Sequence, residues 1–282
     1  MMNRLLLPTD FSDISLNALR YSRSFAEAIA ADITVMHACE SRLNRFWLPR
    51  KKHDAIHQQL TEFITKGNGG LPDENIHLMI LRGKLDEVIS QACMAGQFKY
   101  VVIGKKHAYN TFPKIKGTKT SQLFASSHCP VLVVPAGTGF EGISNILVVG
   151  GQYRSMDPSV QENILSLSLR FGANLHYLHF TQEPLAWEYN QEILNKKNFL
   201  VQKSIPEDLA AEGILDYVQD NSIDLVVMMR NKQKTFETLF SYGAEQQSLS
   251  LLDIPLLVFH NNFLQMRLEK GKAQTAGQAI AI

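Results

Sequence analysis

The sequence predicts an α/β protein built as two tandem doubly wound domains, each a five-stranded parallel sheet with helices on both faces. Three observations carry this expectation. Short, nearly continuous apolar runs alternate with helix-period segments, the pattern of parallel strands buried on both faces. The stretch Pro135-Ala136-Gly137-Thr138-Gly139 is turn-rich and has the composition of a domain boundary. Beyond it the pattern begins again. Asn145-Ile146-Leu147-Val148-Val149 repeats the first strand, and Ala173 to His179 matches Ala31 to His37 type by type. Leu225-Val226-Val227-Met228 matches Tyr100-Val101-Val102-Ile103, and Pro255 to Phe259 matches Pro130 to Val134. These last two correspondences share one offset (225 − 100 = 255 − 130 = 125), so the loops between them have equal length, as an internal duplication requires. A length of 282 residues agrees with two domains.

Each element has its own signature. Arg4-Leu5-Leu6-Leu7-Pro8 is too short for a helix and is predicted as the first strand. Thr9-Asp10-Phe11-Ser12 follows as a turn, and Ser12 or Asp13 caps a helix over Ile14 to Ala30, with Leu16, Leu19, Phe25 and Ala26 on one side. Asp32 to Ala38 is the second strand. A helix over about Asp54 to Lys66 is broken by Gly67-Asn68-Gly69-Gly70. Ile76 to Leu81 is the third strand, and Lys84 to Ala95 a helix with Leu85, Val88, Ile89 and Cys93 inward. Tyr100 to Ile103 and Val131 to Val134 are strands four and five, with a short helix around Ser121 to Ala125 between them. The expected division is a first domain over 1–139, a second over 142–262 and a tail over 263–282. In the tail, a short helix from Phe263 to Lys270 precedes disorder.

Composition narrows the function. An apolar share of 45% supports a full core, and a net charge of +1 gives no overall bias toward nucleic acid or an anionic membrane. No apolar run approaches the ~20 residues that span a bilayer, and the start lacks a signal-peptide pattern. Cys39, Cys93 and Cys129 form no CxxC pair, which suits a reducing cytoplasm; Cys129, before Pro130, is expected to be a small buried hydrophobe.

The strongest chemical signal lies between strands four and five. Gly104 closes the fourth strand, where a glycine allows close backbone approach. A basic loop, Lys105 to Lys116, leads to Gly117-Thr118-Lys119-Thr120 at the start of a helix. A glycine followed by hydroxyls at a helix N-terminus offers free N–H groups and the positive dipole end, the chemistry of a phosphate cradle. In a doubly wound sheet the ligand sits beyond the strand C-termini, where strand order reverses.

With these residues in view, the chain resembles the universal stress protein family. The resemblance lies in Leu7-Pro8-Thr9-Asp10-Phe11-Ser12, in Ile33 to His37, and in His128 to Pro135. It covers residues 1–136 well and 144–260 more weakly, so the chain is similar to a tandem universal stress protein with a degenerate second repeat. The resemblance implies a sheet of the adenine nucleotide alpha hydrolase-like kind. ATP-binding members of the family carry a glycine, two residues, a glycine, nine residues, then glycine and Ser or Thr. Here Gly104, Gly117 and Thr118 fill three of those places and His107 stands at the second glycine. By resemblance Asp10 meets the ribose–adenine side, the backbone of Ala38 meets adenine, and Gly104, Gly117 and Thr118 meet phosphates; Thr9, His107, Lys119 and Thr120, beside them, complete the candidate nucleotide-binding set. His107 either fills phosphate space or, protonated among Lys105, Lys106, Lys114, Lys116 and Lys119, attracts it; as single residues those lysines read equally as a solvated loop.

The second half lacks this set. Met229 stands at Gly104, Lys232 at His107, Tyr242 at Gly117, and Gly150-Gly151 at Thr9-Asp10. It is expected to be a structural partner. His37 and His179 recur at equivalent strand ends, which argues for a hydrogen bond to backbone. His53 and His57 are four apart on one helix face but have no third ligand at a metal-binding spacing. Trp47 and Trp187 also follow the second strand of each half. No nucleophile elbow, Walker lysine or carboxylate pair is present.

The reading that results is a cytoplasmic stress-response protein, not an efficient enzyme. It binds ATP or another adenine nucleotide in its first half, with or without Mg, and acts on an unidentified protein partner. No nucleic acid or membrane is expected. The alternatives are an interaction module without nucleotide and, more weakly, slow ATP hydrolysis. By the family's habit the two last strands pair antiparallel into an intramolecular pseudo-dimer, and a homodimer of the whole chain is compatible with it.

Overall fold

The computed structural model describes residues 3–39, 50–70, 74–95, 98–105, 127, 129–149, 156–181, 199–206, 210–230 and 253–260. The first half contains β1 (Asn3–Pro8), α1 (Asp13–Ile29), β2 (Ala31–Cys39), α2 (Arg50–Gly67), β3 (Ile76–Arg82), α3 (Leu85–Met94), β4 (Tyr100–Lys105) and β5 (Val131–Pro135). The second contains β6 (Asn145–Val149), α4 (Pro158–Phe171), β7 (Asn174–Thr181), β8 (Phe199–Pro206), α5 (Ala210–Asp220), β9 (Leu225–Arg230) and β10 (Leu256–His260). The strands form one ten-stranded sheet in the order β3-β2-β1-β4-β5-β10-β9-β6-β7-β8. Each half is the same parallel arrangement, and the halves join where β5 and β10 run antiparallel, pairing Val133 with Leu256, Leu132 with Leu257 and Val131 with Val258.

The sheet is covered on both faces because its strands are apolar at successive positions. Leu5 and Leu7 join one buried cluster with α1, α2 and α4, while Leu6 joins another beneath α3 and α5. Both clusters run through both halves. Between the halves, Tyr100 on β4 donates from its buried hydroxyl to Asn163 Oδ1 at 3.2 Å, and Thr138 Oγ1 donates to the Asp253 carbonyl at 3.2 Å. The five expected strands of the first half and its first three expected helices are present. In the second half, β8, α4 and α5 had no counterpart among the expected elements. β8 reads Phe-Leu-Val-Gln-Lys-Ser-Ile-Pro, whose polar centre hides a strand at the edge of a sheet. The expected helix at 121–125 and the tail lie outside the described residues.

Cys39, Cys93 and Cys129 are buried and form no disulfide. Cys129 is 4% exposed and its thiol faces the Phe98 carbonyl at 3.2 Å, as expected of a small buried hydrophobe. His53 and His57 lie exposed on α2.

Candidate functional site

The strand order places β1 next to β4, and the chain leaves β1 toward β2 and β3 on one side and returns to β4 and β5 on the other. That is the point of order reversal where doubly wound sheets bind ligands. β1 keeps its ladder with β2 to its end, pairing Pro8 with Met36, but its register with β4 covers only Leu5–Tyr100 and Leu6–Val101. Counted on from that register, Thr9 stands level with Gly104.

The turn after β1 is held by its own side chains. The Thr9 N–H continues the ladder to the Met36 carbonyl at 2.8 Å. The buried Thr9 hydroxyl accepts from the Phe11 N–H at 2.9 Å and lies 3.0 Å from Ser15 Oγ. Ser15 spends its single hydroxyl hydrogen on the Ser12 carbonyl at 2.9 Å, so Thr9 is the donor of that pair. The exposed Asp10 accepts the Ser12 N–H at 3.1 Å through Oδ1. Ser12 in turn caps α1, accepting the Ser15 N–H at 3.3 Å. Burial alone would raise the Asp10 pKa, but the hydrogen bonding of the turn, from Ser12 above all, outweighs it and holds the carboxyl below its ordinary value. At neutral pH Asp10 is therefore an ionised acceptor.

Phe11 adopts φ 64°, unusual for a residue with a Cβ. Two hydrogen bonds across the turn and two rings fix it there. Its ring stacks on His37 at 4.6 Å between centroids and meets the edge of Phe63 at 5.9 Å. His37 Nδ1–H donates to the Thr9 carbonyl at 2.9 Å. The expected backbone hydrogen bond of His37 is thus present, and it ties the end of β2 to the ligand-side turn.

Gly104 has a reason beyond any ligand. A Cβ built there would lie 2.6 Å from the Ile14 carbonyl oxygen and 2.7 Å from Ile14 Cγ2. The first turn of α1 rests on the end of β4, so glycine is required for helix–strand packing. Sequence reasoning missed this, because close approach by a ligand and by a helix leave the same mark.

The structure thus gathers Thr9, Asp10 and Gly104 at adjacent strand ends, with Ala38, half-buried near the end of β2, one strand further out. His107, Gly117, Thr118, Lys119 and Thr120 lie outside the described residues, as do Gly150 and Gly151. Phe11 and Ser15, which shape the turn, were not singled out; a run of hydroxyls before a helix cap was the available signal. Among the described residues no helix is long and apolar enough to cross a membrane, and no group of three or more potential metal ligands forms.

Comparison with known proteins agrees with this architecture. Residues 1–135 match the model of the universal stress protein family. A universal stress protein of Synechocystis sp. is 22% identical over 291 residues, covering 92% of this chain and 100% of its own length. A universal stress protein of Archaeoglobus fulgidus is similar in structure, with a TM-score of 0.64 at 14% identity, covering 92% of this chain and 96% of that one. A protein of unknown function from Pseudomonas aeruginosa has a TM-score of 0.54 at 13% identity, with 96% and 98% covered. These two likenesses show the fold alone. Residues 1–135 thus belong to the universal stress protein family, and the chain is similar to a member of that family along nearly its whole length.

Proposed function

We propose that this chain is a stress-response regulatory or interaction protein that binds an adenine nucleotide in its first half. The observation that carries the proposal is the position of Thr9-Asp10 and Gly104 at the adjoining ends of β1 and β4, where strand order reverses. In this reading ionised Asp10 accepts from the ribose–adenine side, and the backbone of Ala38 supplies the adenine edge. The loop after Gly104, with Gly117 and Thr118, cradles phosphates, and Mg enters with the nucleotide or not at all. The role is binding rather than turnover: a carboxyl held below its ordinary pKa is a good acceptor and a poor proton carrier near neutral pH.

A second reading has one specific support. Because the packing of Ile14 already requires Gly104, that glycine does not demand a ligand, and an interaction module without nucleotide would keep it.

One experiment separates the two. Protein purified without added nucleotide is denatured, and released small molecules are identified and quantified by chromatography and mass spectrometry. About one adenine nucleotide per chain is expected, with Asp10→Ala weakening ATP binding roughly tenfold as a charge-assisted hydrogen bond is lost. No nucleotide released and none bound at millimolar ATP would leave the interaction module. Unchanged affinity in Asp10→Ala would remove the proposed role of that turn.

A further inference from the structure

An open sheet has two edges, and the two halves of this chain finish theirs differently. The sheet ends in β3 in the first half and in β8 in the second. β8 carries Lys203 near its middle and Pro206 at its end, and its ladder with β7 is broken by a register shift at Leu175–His176. A lysine within the strand, a proline and a bulge are devices that keep an edge from pairing with another chain. β3 has none of them. It reads Ile76-His77-Leu78-Met79-Ile80-Leu81-Arg82, and its ladder with β2 runs without a shift from Ile33–Ile76 to Cys39–Arg82.

The ladder also fixes which backbone groups look outward. The Ile33 N–H donates to the Asn75 carbonyl at 2.8 Å, and the Gly83 N–H donates to the Cys39 carbonyl at 3.2 Å. Backbone direction alternates along a strand. The odd-numbered residues of β3 therefore bond to β2, and Ile76, Leu78 and Ile80 direct their N–H and C=O groups away from the sheet. The side chains of this edge are apolar as well. Leu78 is 36% exposed, and Ile76, Met79, Ile80 and Leu81 are partly buried, whereas Leu5, Leu6 and Leu7 of β1 are fully covered.

We propose that β3 pairs antiparallel with β3 of a second copy of this chain, about a two-fold axis at Met79, making the protein a reversible homodimer. The strand is self-complementary in that register. All seven of its residues overlap. Leu78 and Ile80 face each other on both sides of the axis, both with outward backbone groups, so each pair exchanges two hydrogen bonds and joins two apolar side chains on one face. Met79 meets its own copy on the axis. At the ends, exposed Glu74 of one copy comes beside exposed Lys84 of the other, twice over. Lys84 reaches Glu87 of its own chain at 3.9 Å, an exposed contact that leaves its ammonium open to a second carboxylate. Other registers that keep the outward groups opposed slide the strands by two residues and leave part of β3 uncovered. Because β8 is guarded, the pairing closes at two chains and does not propagate. One strand pair is a small contact of the weak class, with a dissociation constant of about 50 μM expected. The edge lies two strands outside β1, so the inference does not rest on nucleotide binding.

The test is sedimentation of the intact chain across concentration, with variants of the edge. Monomer at about 1 μM and mostly dimer at about 500 μM are expected. Leu78→Lys, at an exposed position, supplies the missing guard and should weaken dimerisation more than about tenfold with circular dichroism unchanged. Glu74→Lys and Lys84→Glu should each weaken it about fivefold, and the two together should restore it. Met79→Cys should be cross-linked by mild oxidation to twice the chain mass. Facing residues of a non-hydrogen-bonded pair lie about 4.5 Å apart, within the reach of a disulfide, and the three native thiols are buried. His77→Cys should not cross-link, because its two copies would stand four residues, or about 14 Å, apart along the strands. A chain that stays monomeric at about 500 μM would overturn the proposal, as would equal cross-linking at the two positions or a dimer indifferent to Leu78→Lys. A double charge exchange that fails to restore the dimer would overturn the register centred on Met79.

Discussion

His176, on β7 and 5% exposed, shows how one buried side chain sets a pH response. Its Nε2 lies 3.4 Å from Asn145 Oδ1, which accepts from Asn174 Nδ2 at 3.1 Å, and its Nδ1 lies 3.0 Å from the Tyr217 hydroxyl. An amide oxygen accepts, so Nε2 carries the hydrogen and Nδ1 accepts from the tyrosine; the neutral ring is fully satisfied. Burial holds its pKa below the ordinary 6.5. Between the lowered value and 6.5 the unfolded chain binds more protons than the folded one, so stability rises with pH through that window and is lost as pH falls through it. Urea unfolding midpoints should drop between about pH 7.5 and pH 5 in the native protein, and drop less in His176→Gln. An identical drop in the variant would assign the effect elsewhere. At this scale the sequence was partly legible. Thr9 and Asp10 are visible because turn residues before a helix have few other uses. The positive φ of Phe11 is not visible, because rings from β2 and α2 hold it there.

At the scale of elements, the two halves differ at the start of their first helices. α1 and α4 end at equivalent caps, yet α1 has 17 residues and α4 has 14. The helix of the second half therefore starts three positions later. The corresponding strand carries Met229 in place of Gly104, and Met156 corresponds to Ile14, so a side chain stands where the first half admits a helix backbone. Gly104 and the early start of α1 are one device, and the second half lost both together. Gly104→Ala should cost about 1–3 kcal/mol, the usual range for overpacking, since the added Cβ would meet the Ile14 backbone and not a flexible side-chain tip. The urea midpoint reads the cost. An unchanged midpoint with lost nucleotide binding would instead show that the glycine serves the ligand alone. The loss of glycine at 229 was legible in the sequence; its consequence for helix length was not, because helix starts depend on what the neighbouring strand end leaves room for.

For the whole molecule, the seam between β5 and β10 decides whether a half can stand alone. Val131, Leu132, Val133 and Val134 are each 3% exposed or less, and Leu257 and Val258 across the seam are equally buried. Cutting the chain after Gly139 would expose β5 as an apolar edge with unpaired backbone groups, which water does not tolerate without association. The antiparallel register of β5 with β10 shows the geometry available, since a second copy of β5 can take the place of its own repeat. The isolated segment 1–139 should therefore sediment as a dimer, and Leu132→Lys in that segment should return it to a monomer or to aggregates. A stable monomer of unaltered 1–139 would mean that the first half closes its own edge and that the seam is dispensable for folding. The same continuity of both clusters across the seam makes the intact chain one cooperative unit, so its unfolding followed by tyrosine fluorescence and by far-ultraviolet circular dichroism should coincide. Separate transitions would show two cores that merely touch. This pairing was expected from the family resemblance, and the repeated apolar run supplied its two strands. The packing of Phe140 on Tyr21, Phe25 and Phe171 was not, because the path of the joining segment over the helices is set only when the two halves are folded against each other.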